Sequence, residues 1–106
     1  MPRVRITVVK RAVHAELVDA WVRKERYPQG FGACSLFTEG QSFDVDGFPK
    51  KPADFPCDWA WVDIQRDVAM LLFGADPPWM AQPGTAVVCC SDGLRPVSFL
   101  IERVDT

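Results

Sequence analysis

The sequence predicts an α+β domain: a mostly antiparallel sheet, or a small open barrel, with two helices packed on it. Three observations carry this. Separate stretches alternate apolar and polar residues with the period of a strand. Two segments between them change to helical spacing. The last twenty residues read as a hairpin. A chain of 106 residues is one domain by length, spanning 1–106, and is large enough to bury one such core.

The elements follow in order. Val4, Ile6 and Val8 alternate with Arg3, Arg5 and Thr7, which marks a half-buried strand over residues 3–10. Over residues 14–25, Leu17, Val18, Trp21 and Val22 form one apolar stripe, with Glu16, Asp19, Arg23 and Lys24 opposite; Pro28 and Gly30 end this helix. Residues 27–41 read as a loop holding a short extended piece around Leu36 and Phe37. Residues 42–46, "SFDVD", alternate again, and Asp46-Gly47 closes them as a turn. The connector 47–56 carries three prolines and should be irregular.

Residues 57–73 carry the strongest helical signal. Cys57, Trp61, Ile64, Val68 and Leu71 fall at spacings of 4, 3, 4 and 3, one face of a helix. Asp54, Pro56 and Asp58 supply N-terminal signals and Gly74 the stop. A Pro/Gly loop with Trp79 spans 74–84. "TAVVCC" and "RPVSFLIERV" then flank "SDGL", where Asp92-Gly93 favours a tight turn.

Composition excludes several functions. The net charge of −2 leaves no basic face beyond "PRVRITVVKR", whose cations alternate as on the outer side of a strand, so nucleic-acid binding is not expected. No segment approaches the roughly 18 continuous apolar residues that cross a membrane. Arg3, Arg5 and Thr7 interrupt any signal-peptide core, so a cytoplasmic location is expected. Thiols stay reduced there, and four cysteines then imply free thiols, metal ligands or redox groups rather than two disulfides.

"FPCDWAWVDIQRDV", "LLFG" and "TAVVCCSDGLRPVSFLIERV", with "CSLFTEGQSFDVDGF" and "VRITVVKRA" upstream, resemble a small uncharacterised family of bacterial and archaeal proteins of about this length. The resemblance covers nearly the whole chain. It implies that Cys34, Cys57, Cys89 and Cys90 act as a set, without saying what they do. At "GACSLF" this chain has Ala33 where the family's pattern more often has proline.

The residues themselves leave three readings of the cysteines open. In the first, Cys57, Cys89, Cys90 and Cys34 bind a soft metal such as Zn²⁺, Cu⁺ or iron, or act as redox thiols. No C-x-x-C pair occurs, and adjacent side chains on a strand face opposite ways, so Cys89 and Cys90 reach one ion only if the strand breaks there. A vicinal Cys89–Cys90 disulfide would strain the peptide bond between them. In the second, Cys57 or Cys90 is a catalytic thiolate acting on a small electrophilic substrate. Cys57 stands at the start of the long helix, where unpaired amides and the helix dipole favour the thiolate, the form that attacks electrophiles and binds metals. In the third, all four cysteines are inert core residues of an interaction module whose Trp-rich face pairs with a second copy, making a homodimer.

Other candidates are weighed against core packing. Trp59, Trp61 and Trp79, with Phe31 or Phe37, form a candidate ligand pocket beside a thiol, although aromatics at helical spacing are more often core. Asp58 and Asp63 lie about 140° apart around the helix and do not converge for acid–base work, so Asp58 reads better as a cap or a pocket-edge residue. Arg95 pairs with Asp92 or Asp58, or binds an anionic ligand. His14 begins the first helix, and a Cys–His pair would need it to fold back onto Cys57 or Cys34. Phosphate-loop, dinucleotide and serine-elbow motifs are absent.

Overall fold

The computed structural model describes residues 2–104. Four antiparallel strands make one open sheet: β1 (Arg3–Arg11), β2 (Ser42–Asp46), β3 (Thr85–Cys89) and β4 (Val97–Val104), in the order β2-β1-β4-β3. Two α-helices accompany it, α1 (Ala15–Trp21) and α2 (Asp58–Leu72). This is the α+β class the alternation predicts, with an open sheet rather than a barrel.

The alternating residues sort onto two faces as their period requires. Val4, Ile6 and Val8 of β1, Phe43 and Val45 of β2, Ala86 of β3, and Val97, Phe99 and Ile101 of β4 all point into one core and are at most 3% exposed. Arg3 and Arg5 pair with Asp46 and Asp44 across the opposite face. A bulge at Val9 shifts the β1–β4 register between Val8 and Lys10 and leaves Val9 exposed.

α2 covers the core face. Ile64, Val68 and Leu71 are fully buried, each burial contributing about 1.5–3 kcal/mol. The buried stripe keeps Ile64, Val68 and Leu71 of the predicted one, adds Ala60 and Leu72, and leaves Cys57 and Trp61 only half-buried. Arg103 of β4 closes the far end of this helix. Its guanidinium donates to the Leu71 carbonyl at 2.8 Å and to Asp76 at 2.7 Å, a cation on the last carbonyls of a helix. The irregular segments supply an aromatic layer: Phe37 and Phe55 pack edge-on with each other and with Phe43, at 4.9–6.3 Å between centroids, and Phe37 meets Phe99 at 5.2 Å.

Two local expectations change. α1 stops at Trp21, the chain turns extended at Val22, and a single 3₁₀ turn follows at Lys24–Arg26. None of α1 is buried, and Trp21 is 81% exposed, so the predicted stripe does not dock on the sheet. No residue from Val9 to Leu36 is buried. This excursion lengthens the molecule to a radius of gyration of 15.3 Å, against about 13 Å for a compact chain of this size. The β3–β4 connection is also wider than a two-residue turn. Asp92 accepts backbone N–H bonds from Leu94 at 2.9 Å and Arg95 at 3.1 Å, and this side-chain turn organises the loop without Gly93 taking a left-handed conformation.

Candidate functional site

Three segments converge beside the open end of the β3–β4 hairpin: the 91–96 loop, the N-terminus of α2, and the turn around Cys34 that Phe37 anchors in the core. Between them lies a cavity of about 270 Å³, with Cys34, Cys57 and Cys90 in its wall alongside Leu36, Phe37, Trp59, Ala60, Asp92, Arg95 and Val97. Three of the four cysteines thus share one site, although 23 and 33 residues separate them in the chain.

Each thiol is held differently. Cys57 is the N-cap of α2, with extended backbone, and its Sγ accepts the Ala60 N–H at 3.3 Å. Sulfur here takes the place that a serine or aspartate oxygen usually fills. Cys90 continues the ladder one residue beyond β3. Its N–H donates to the Val97 carbonyl at 3.0 Å, and its Sγ accepts the Val97 N–H at 3.3 Å. Cys34 is half-buried, and its carbonyl accepts from the Arg11 guanidinium at 2.9 Å. Arg11 Nε is shielded from solvent without a hydrogen-bond partner.

Strand alternation settles the adjacent pair. Ala86, Val88 and Cys90 face the core, whereas Thr85, Val87 and Cys89 face away. Cys89 is exposed and outside the cavity; all four thiols are free. Among the described residues no group of three or more His, Cys, Asp or Glu is placed to hold a metal ion. Three of the four expected cysteine donors share the cavity, and Cys89 lies outside it.

The charged wall is built from the loop. Arg95 Nε donates to Asp92 at 3.2 Å, and its guanidinium lies over the Phe31 ring, 4.6 Å from the centroid. Phe31 is braced edge-on by Tyr27 at 5.0 Å, so the base of the exposed excursion helps position this arginine. Partial burial pushes the Asp92 carboxyl up. The Leu94 and Arg95 amides and the Arg95 guanidinium more than offset that and hold it below the usual carboxylate range. Asp92 is thus an ionised anchor for Arg95 rather than a proton acceptor. Trp59 forms an outer wall. Its indole N–H donates to Ser91 Oγ at 2.8 Å, and the Ser91 N–H donates to Asp63 at 2.7 Å, clipping the loop to α2.

The remaining predicted residues lie elsewhere. Asp58 points outward and pairs with Lys51. Trp61 packs on Phe55 at 5.8 Å, behind the cavity wall. Trp79 is 79% exposed on the 74–84 loop. His14 is exposed and outside the lining, so no Cys–His pair forms there. Sequence reasoning missed Arg11, whose place beside Cys34 no local pattern signals, and the Asp63–Ser91 bond, which joins residues 28 apart. No helix among the described residues is long and apolar enough to cross a membrane. No family model, no curated protein and no solved structure matches the chain, so the family resemblance rests on its quoted residues alone.

Proposed function

We propose that the cavity is a thiol site for a small electrophilic molecule, with Cys57 as the attacking group. The observation that carries this reading is the grouping of Cys34, Cys57 and Cys90 around one cavity large enough for a few heavy atoms. Cys57 is half-buried and lines that cavity, and its sulfur is held in place by the Ala60 N–H. The sulfur bonds to the electrophilic atom, the leaving group departs with its electron pair, and the thiol proton passes to solvent. Leu36, Phe37, Trp59 and Val97 give the cavity an apolar wall. Cys90, at 9% exposure, lies deepest.

The test is timed alkylation of the native, reduced protein with iodoacetamide, read by peptide mass mapping. Cys57 should label ahead of the exposed Cys89. Labelling that simply follows exposure, with Cys89 first and Cys57 trailing, refutes the reading.

A further inference from the structure

We infer that the molecule accepted by this thiol cavity carries a carboxylate or a comparable small anion, docked on Arg95. The inference rests on the proposed function for the reaction at Cys57, but its own basis is the charged wall.

Arg95 is held from two sides before any ligand arrives: Asp92 takes Nε, and the Phe31 ring supports the guanidinium face. A guanidinium has five N–H donors, and only Nε is used. The two terminal nitrogens make no hydrogen bond to other described residues, although Arg95 lines the cavity. That terminal edge matches a carboxylate in bidentate fashion, and fixing it in advance removes part of the ordering cost of binding.

Few charges line the rest of the cavity. Asp92 is the one carboxylate in the cavity wall. It is paired with Arg95, the one cation in that wall, while Arg11 bonds the Cys34 carbonyl outside the lining. The nearest other carboxylate in sequence to Cys57, Asp58, is turned outward onto Lys51. The cavity therefore presents thiols, apolar walls and the unused terminal edge of one arginine, which suits a short electrophile with an anionic tail better than a cationic one.

Iodoacetate and iodoacetamide test this as a matched pair. In both, the sulfur bonds to the methylene carbon as the C–I bond breaks and iodide leaves; only the tail charge differs. Cys89, on the opposite face of the sheet, is the reference within the same molecule. At low salt the iodoacetate-to-iodoacetamide rate ratio should be about fivefold higher at Cys57 than at Cys89, equivalent to ~1 kcal/mol. Arg95→Gln should bring the ratio down to that of Cys89, and Arg95→Lys should keep part of it. Equal ratios at the two cysteines, with Cys57 still fast towards iodoacetamide, overturn the anion inference and leave the thiol site standing. A Cys57 slow towards both reagents overturns the thiol site instead. The anion inference is then decided on the unsubstituted protein by the Arg95 Nε–Hε NMR signal. It should shift saturably with propionate and not with propionamide; no shift with propionate overturns it.

Discussion

Replacing Cys57 separates its structural role from its chemical one. α2 is a 15-residue helix that leaves its first amides without intrahelical partners, and Cys57 Sγ accepts one of them, the Ala60 N–H at 3.3 Å. Ala60 is 1% exposed, so this amide is shielded from bulk solvent. Loss of an N-cap acceptor costs about 0.5–2 kcal/mol, and stranding a buried donor about 1–3 kcal/mol. These describe one lost bond, and sulfur is a weak acceptor, so Cys57→Ala should cost about 1–1.5 kcal/mol. Cys57→Ser puts a stronger acceptor in the same position and should be about 1 kcal/mol more stable than the alanine variant, which for a domain of this size separates their Tm values by roughly 4–8 °C. Urea unfolding of the reduced proteins, followed by far-UV circular dichroism, gives the comparison. An alanine variant equal to or more stable than the serine variant would refute the capping argument. If serine preserves the fold and iodoacetamide labelling at position 57 disappears, Cys34 and Cys90 should keep their rates, because the cavity around them is unchanged.

The exposure of α1 predicts that Trp21→Ala, at 81% exposure, changes stability by less than ~0.5 kcal/mol, whereas Ile64→Ala in α2 costs about 2–5 kcal/mol; urea midpoints compare the two directly. Asp92 has a folded-state pKa held below its unfolded value, so the unfolded chain takes up protons first as pH falls. The stability it contributes is complete above about pH 4 and is lost as pH drops further through the folded value. Asp92→Asn, which keeps an oxygen for the two amides, should flatten the acid limb of a pH–stability curve; an unchanged limb counts against this linkage.

The core was legible because its signals are local. Alternation over a few residues fixes which side of a strand is apolar, and a 4-3-4-3 spacing fixes one face of a helix, whatever lies opposite. Val4, Ile6, Val8, Phe43 and Val45 are buried as their alternation requires, and Ile64, Val68 and Leu71 as their spacing requires. α1 shows where local logic ends. Its stripe of Leu17, Val18, Trp21 and Val22 has helical periodicity, but a stripe states only that a surface is apolar, not that another element reaches it. Here α2 alone covers the sheet, and the short α1 ends before Val22.

The sequence by itself determined the class of fold, the buried faces of sheet and helix, and the position of Cys57 at a helix start, since each follows from side chains within a few residues of one another. It also implied, through strand alternation, that Cys89 and Cys90 face opposite ways unless the strand broke. Only the tertiary structure decided that the strand does not break, that Cys34 joins Cys57 and Cys90 at one cavity while Cys89 stays outside, and that Phe31 and Asp92 hold Arg95 beside them. Those contacts join residues as many as 64 positions apart, Phe31 to Arg95. Their meeting depends on how loops return to the sheet, a closure that no periodicity in a single segment encodes.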